Sequence, residues 1–465
     1  MTQRKPKEPT LKRLRRKAVD ADFTGGTITT DAGLLLLREV DRKLNLINRV
    51  AQVIPDPRDP IYTTHTQAEI LTSRVFGIAA GYEDANDHQQ LRDDPAFHVA
   101  AQRSLDQSPG DDDYIPLASP STISRLENRI DKRTCFELHE ILVQTFLDSY
   151  DEAPDEIVLD IDSTDDPVHG EQEKRFFNGY YDRYCFLPLY VFCGDQLLVS
   201  YLRSSGDGGA KHVRPIIKLL VGAIRQRFPD VKIIVRGDTD FSKPNLMRWC
   251  ERNDVGYVLG FGVNSRIKQD MVYESIASHC EYKRTGKTAR HFRWIKYRAK
   301  RWKTTRWIVG KSEHGNKGRN QRFVVTNLPE LFCGPAATAT QACSPCLDPE
   351  KFYAERYCIR GEMENRIKEQ QLFLFSDRTS CSKFVANQFR LLLSSFAYVL
   401  VDGLRRIGLS GTGASRWRVD TIRLRLLKIS ARVVSSVRRV MFHLSETYAY
   451  RPVYHAVLGR LCGSD

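Results

Sequence analysis

Three short runs of the chain place carboxylates where they could share a cation. The first, Leu159-Asp160-Ile161-Asp162-Ser163-Thr164, ends a β-branched stretch that begins at Glu156. The second, Val235-Arg236-Gly237-Asp238-Thr239-Asp240-Phe241, closes an apolar run at 231–235. The third holds Tyr357, Arg360, Glu364 and Lys368, whose spacing puts all four side chains on one face of a helix. Acids at the ends of adjacent strands point into one crevice, where they raise each other's pKa until a cation neutralises them. Oxygen-only donors select hard Mg²⁺ or Mn²⁺ over zinc. Asp162 and Asp238 are the first candidates. Asp160 lies on the same face as Asp162 but one pleat deeper, and it is the rival; Asp165, Asp166 and Asp240 are further alternatives. Acidic strand ends also serve as solvated turns or helix caps, and Glu364 with Lys368 could be an ordinary surface pair. A tyrosine and two cations around one acid suit instead a metal ligand held beside a phosphodiester.

The surrounding pattern supplies elements to position these groups. Thr30 and Asp31 precede a helical period that runs from Leu34 to about Val50, and further helices are expected near 66–81 and 86–93. The segment 106–114 reads as a loop. Ser121 could cap a helix that presents Thr122, Ser124, Arg125 and Asn128, a residue set found on DNA recognition helices. From 156 the pattern becomes extended. Strands are expected at 156–162, 189–193 and 196–202, the last two joined by the tight Gly194-Asp195 pair. A helix at 212–227 and a strand at 231–235 form a crossover. A helix at 243–252, a strand at 257–261 and long helices at 353–372 and 383–408 follow. This is the order of an α/β, ribonuclease H-like fold, provided that 265–345 is a β-rich insertion. The implied domains are a basic tail (1–20), a helical DNA-binding region (21–150), a catalytic domain in two parts (151–264 and 346–408) around the insertion, and a basic helical C-terminal region (409–465).

The 465 residues carry 71 Lys and Arg against 57 Asp and Glu, a net charge of +14. Residues 1–20 hold eight cations and two acids, residues 281–322 fifteen and two, and residues 401–465 twelve and four, which leaves the rest of the chain acidic. Basic surfaces flanking an acidic body suit a polyanion such as DNA, because phosphate contacts release counterions and steer association. The middle block interleaves its cations with Trp294, Trp302 and Trp307. Such rings can stack bases, although on a strand they could equally face a sheet core. In the C-terminal region, Arg416, Arg418, Arg423, Arg425, Lys428, Arg432, Arg438 and Arg439 read as one face of an amphipathic helix, with Ile422, Leu426, Ile429 and Val433 opposite. No apolar run follows the basic N-terminus, so a cytoplasmic protein with no membrane partner is expected. The eleven cysteines read as free thiols, and Cys333, Cys343 and Cys346 form a cluster that is weak as a zinc site.

The three acidic runs, with Tyr357-Cys358-Ile359-Arg360-Gly361-Glu362-Met363-Glu364-Asn365-Arg366-Ile367-Lys368-Glu369 as the third, resemble the catalytic blocks of bacterial insertion-sequence DDE transposases. The similar branch carries a Tyr, Arg, Glu, Lys signature on its last helix and a β-strand insertion before it. Phe23-Thr24-Gly25-Gly26 and Gly81-Tyr82-Glu83-Asp84-Ala85-Asn86-Asp87-His88 resemble that branch as well. The resemblance implies that Asp162, Asp238 and Glu364 bind two Mg²⁺, with Mn²⁺ able to substitute, and that Tyr357, Arg360 and a lysine surround phosphates of the transposon end. The signature lysine falls seven positions beyond the glutamate, where this chain has Gln371, so the role passes to Lys368. Excision at terminal inverted repeats, strand transfer into target DNA, and a homodimer in the synaptic complex are implied, as is a hairpin at the excised ends, with Trp294, Trp302 or Trp307 available to a flipped base. The alternatives are a ribonuclease H-like nuclease that does not join strands, or a non-catalytic DNA-binding repressor.

Overall fold

The computed structural model describes residues 11–107, 109–300, 302–328 and 345–463. Its centre is a mixed sheet of eight strands: β1 (Glu156–Ser163), β2 (Leu189–Cys193), β3 (Gln196–Tyr201), β4 (Lys232–Gly237), β5 (Gly256–Phe261), β6 (Ala289–Tyr297), β7 (Arg306–Gly315) and β8 (Gly318–Thr326). Their order is β6-β7-β8-β5-β4-β1-β2-β3. β1, β4 and β5 run parallel, and every other neighbour is antiparallel. The strands read from the sequence at 156–162, 189–193, 196–202, 231–235 and 257–261 are all present. The expected β-rich insertion does not stand apart: β8 pairs with β5 from Thr326↔Val258 to Phe323↔Phe261, so the basic strands lengthen the central sheet.

Alternation along β1 separates two packing faces. Ile157, Leu159 and Ile161 are buried against Ile217, Leu220 and Ile224 of one helix (Val213–Arg227) and Leu246 and Met247 of another (Pro244–Arg252). The opposite face carries Val158, Asp160 and Asp162. On that side Ile234, Val258, Val309 and Val324 pack under Phe352 and Tyr353. β2 presents Tyr190 and Phe192 to the helix Phe384–Gly403, which continues as a wider turn to Gly408. This stretch is long and apolar enough to cross a membrane by composition, yet most of it is buried inside the fold. The N-terminal helices, Leu34–Leu44, Leu46–Val53 and Gln67–Ala80 among them, share its core.

Several sequence readings need correction. The helix expected from 34 to 50 breaks at Asn45, which takes a left-handed conformation (φ 50°) that asparagine tolerates well. The helix Pro120–Arg129 is capped by Ser119, with Pro120 in its first turn, and not by Ser121. The long basic C-terminal helix does not form. After a short helical stretch ending at Leu427, Ala431–Ser436 and Arg439–Leu444 make a hairpin, whose first strand also pairs with Ile28–Thr29. Alternation of Ala431 and Val433 (buried) with Arg432 and Val434 (exposed) favours the strand. This hairpin closes the fold onto its N-terminal region: Lys428 Nζ lies 2.8 Å from the buried Asp31 carboxylate and above the Tyr82 ring, while Tyr82 donates to Asp31 at 2.9 Å. Tyr82, in the second N-terminal stretch that carries the resemblance, is thus part of a structural clamp. Of the cysteines, Cys346 is disulfide-bonded and not a free thiol; Cys333 and Cys343 lie outside the described residues.

Candidate active site

The backbone delivers the two aspartates to one edge of the sheet. Asp162 stands next to the end of β1, opposite Tyr190, and its carboxylate accepts from the Ser163 amide at 2.9 Å. Asp238 follows β4 directly and turns the chain, accepting from the Asp240 amide at 2.9 Å. β1 and β4 are parallel neighbours, so both acids leave the sheet at the same end. Glu364 comes from the helix Gly361–Leu374, which crosses above.

Arg360 joins these groups. One guanidinium nitrogen is 3.0 Å from Asp162 Oδ2 and the other 3.1 Å from Glu364 Oε1. Burial pushes the Asp162 carboxyl up to about 6; Arg360 and the Ser163 amide oppose this, while Asp238 and Glu364 push it further. Burial also raises Asp238, with the Asp240 charge adding to it. The cluster is therefore short of positive charge even with Arg360 in place. Tyr357 completes it, with its ring 5.9 Å from the Arg360 guanidinium and its hydroxyl packed on β5. Gly260 leaves room for that hydroxyl: a Cβ there would lie 2.9 Å from Tyr357 Oη and 2.8 Å from the Thr239 amide nitrogen.

The helix carrying these residues is irregular. A wide turn at Tyr353–Tyr357 and a tight one at Cys358–Arg360 precede the regular helix. Such departures from α-geometry re-aim side chains and are frequent at functional sites. Here they let Phe352 and Tyr353 cover the sheet while Arg360 reaches Asp162.

Two buried networks hold the frame. Asp160 is taken by Arg236, its cross-strand partner on β4, through bonds of 2.5 and 2.7 Å, and Arg236 also donates to the Arg356 carbonyl at 2.8 Å. The rival carboxylate thus serves to fasten the segment leading to Tyr357. On the far side of the helix Glu369, 1% exposed, accepts from Arg366 at 2.9 Å and from Arg405 at 3.0 Å. Lys368 is exposed, whereas Gln371 donates to the Asp165 carbonyl at 3.0 Å and lies 3.3 Å from the Thr164 hydroxyl.

A family model described as transposase DDE domain, group 1, matches residues 11–464. The chain belongs to that family. Among solved structures this DDE transposase is similar to a piggyBac transposase, determined by cryo-EM as a synaptic complex with hairpin DNA. The identity is 11% and the TM-score 0.41, over 86% of this chain and 80% of that one. Curated proteins give no match.

In this transposase the expected site residues fall into two groups. Asp162, Asp238, Glu364, Tyr357 and Arg360 converge, and Lys368 lies one turn beyond Glu364. Arg125 lies elsewhere, on the exposed face of its helix with Ser121, Ser124 and Asn128. The tryptophans are a correction. Trp302 is buried, 5% exposed, between Phe261, Tyr297 and the Arg306 guanidinium, so its faces are taken. Trp294 packs on Phe352 and donates its indole N–H to the Leu347 carbonyl at 2.8 Å. Both rings fill the sheet's packing faces, the outcome that strand alternation allowed for. The sequence reading missed Arg203, a buried guanidinium that donates to the Ser163 hydroxyl at 2.6 Å and to the Leu187 carbonyl at 2.9 Å. Nothing in its local sequence marks it, since its partners come from three separate segments, at Ser163, at Leu187 and at Gly209 and Lys211.

Proposed function

We propose that this transposase excises a mobile DNA element at its terminal inverted repeats and joins the freed 3′ ends to target DNA, acting as a homodimer on paired ends. The observation that carries this reading is the bridging of Asp162 and Glu364 by one guanidinium, with Asp238 beside them, at the parallel-strand edge of a sheet whose order and directions are those of a ribonuclease H-like fold. Five adjacent strands, β3-β2-β1-β4-β5, supply that pattern.

The three carboxylates also fit a pair of divalent cations, Mg²⁺ or Mn²⁺. The donors are all oxygens, and three carboxylates face one guanidinium, with burial raising Asp162 and Asp238. Among the described residues no three acidic, histidine or cysteine side chains meet closely enough to hold an ion; Arg360 bridges Asp162 and Glu364. When bound, the cations would activate the attacking water or 3′-hydroxyl and stabilise the leaving oxygen in an in-line displacement. Asp162 and Asp238 would hold them from the strand ends and Glu364 from the helix. Arg360, released from the carboxylates, would bind a phosphate oxygen beside the scissile bond, with Tyr357 orienting the guanidinium and Lys368 meeting the next phosphate. Gln371, where the family signature has lysine, would keep the helix fixed to the loop after β1.

The test is cleavage and joining of DNA that carries the element's own terminal repeats, with Mg²⁺, by the wild type and by Asp162→Ala, Asp238→Ala and Glu364→Ala. Loss of both steps in all three variants is expected. Cleavage without joining by the wild type would make the chain a nuclease, and DNA binding with neither step would make it a repressor.

A further inference from the structure

Four residues beyond Asp162 the chain leaves the central sheet for a small one of three strands, Asp166–Pro167, Phe176–Asn178 and Arg183–Phe186. Its outer surface is aromatic and open. Tyr180 is 87% exposed, Phe176 55%, Tyr184 48% and Phe177 45%. Asp166, Cys185 and Phe186 turn into the protein. The strands are held by their ladder and by ties to the main body, among them Ser205 Oγ donating to the Phe176 carbonyl at 2.9 Å, the Phe186–Ser204 bridge, Phe186 against Phe384, and Arg183 to Asp165 at 3.8 Å. The rings are ordered relative to one another. Phe177 and Tyr184, opposite in register, meet edge to face at 5.6 Å, Tyr180 and Tyr181 do so at 4.9 Å, and Arg175 lies 5.0 Å above the Tyr184 ring.

Position selects the occupant. The base of the hairpin borders the loop after Asp162, where Arg183 lies 3.8 Å from Asp165, so a DNA strand bound across the carboxylates would have this hairpin beside it. Tyrosine and phenylalanine faces beside a guanidinium are the surface on which unpaired bases stack, whatever their sequence. We propose that the hairpin 176–186 is a stacking platform for unpaired bases of the DNA strand next to the cut, with Tyr180 at its tip as the principal ring and Tyr181 against it as its support. The proposal rests on the transposase reading for its choice of DNA. It also gives the base-stacking role to rings that are open, in place of Trp302, which is buried, and Trp294, which is half-buried against Phe352.

The experiment uses the full chain and an end-repeat duplex bearing a short single-stranded overhang, with 2-aminopurine as the first unpaired base. Stacking on a ring quenches that fluorophore, and the readout needs no catalysis. The wild type and Tyr180→Phe should quench on binding. Tyr180→Ala should bind with about tenfold lower affinity, the order of one lost base–aromatic stack, and leave the signal bright. Tyr180 is exposed enough that its replacement should leave the thermal unfolding midpoint unchanged. Equal quenching by wild type and Tyr180→Ala would overturn the proposal. So would a Tyr180→Ala chain that loses only self-association in sedimentation, which would make the hairpin a contact between copies. Failure of the wild type to cut, with Tyr180-dependent quenching intact, would sink the transposase reading and leave the platform standing.

Discussion

Asp160 and Asp162 sit two residues apart on one strand and one face, and each is held by an arginine, yet they occupy different worlds. At depth, Asp160 is 4% exposed and Arg236 8%, their fork-to-fork contact is bidentate, and the remaining guanidinium nitrogen is spent on a backbone carbonyl. At the mouth, Asp162 has a single bond from Arg360, which is shared with Glu364, and burial still lifts the Asp162 carboxyl to about 6. The deep pair is balanced, and the shallow cluster is not. Balanced ions stabilise a frame, whereas an under-neutralised cluster at a strand edge is poised to take a cation or a phosphate contact.

The largest expected effect is at the mouth. Asp162→Asn should lower end cleavage by about a thousandfold or more, since it removes a ligand used throughout the reaction, while the thermal midpoint stays near that of the wild type. Asp160→Ala should do the reverse. Stranding the buried Arg236 charge costs about 3–5 kcal/mol, to be read by denaturant unfolding, and activity should fall only in proportion to the fraction unfolded. A stable but inactive Asp160→Ala chain would break the comparison and exchange the two roles.

His88 sharpens the comparison as a sealed group with no compensating ion. Its ring packs by Gly77 and Phe97, burial and then Arg74 hold its pKa down to about 3, and its Nε2 has no hydrogen-bond partner among the described residues. The imidazole stays neutral in the fold, whereas the unfolded chain takes a proton near the ordinary 6.5. The contribution is thus intact above pH 6.5 and is lost as pH falls from there toward 3, by about 2 kcal/mol at pH 5. His88→Asn should flatten that acid limb of the stability profile measured by urea unfolding. An unchanged slope between pH 6.5 and 5 would show that the ring is already protonated or solvated.

What the sequence made legible, and what it did not, follows the same division. Periodicity located β1 to β5 and the helices between them, and the strand-end rule singled out Asp162 and Asp238, because both signals are local. The choice between Asp160 and Asp162 was not local: it depends on parallel register, which sets Asp160 opposite Arg236. The same holds for Trp302, whose burial depends on Phe261 and Arg306 from two other segments. The C-terminal hairpin is a different failure. Its period of two was present at 431–434, but the regular spacing of arginines was read at a helical period. The irregular turns at Tyr353–Tyr357 and Cys358–Arg360 had no sequence signal beyond Gly361; the one-face argument for Tyr357, Arg360, Glu364 and Lys368 assumed a regular helix, and it is Arg360 reaching Asp162 and Glu364 that ties those groups together.

The smallest effect probes how tightly the mouth is built. Gly260 faces Tyr357 Oη at 2.9 Å, the Thr239 amide nitrogen at 2.8 Å and the Asp238 carbonyl carbon at 3.0 Å, measured from a Cβ placed there. Gly260→Ala must therefore displace either the tyrosine or the turn that aims Asp238. The hydroxyl end of a side chain yields more readily than backbone, which puts the cost at about 1 kcal/mol, the low end for overpacking. Tyr357→Phe in the same background removes the hydroxyl oxygen that the new methyl group meets. If the tyrosine is what moves, cleavage should fall about tenfold in Gly260→Ala and show no further loss in the double variant, because the hydroxyl's contribution is already gone. If the Asp238 turn moves instead, the two losses should multiply, and the deficit should be relieved by raising Mn²⁺, since a displaced ligand weakens ion binding before it weakens chemistry.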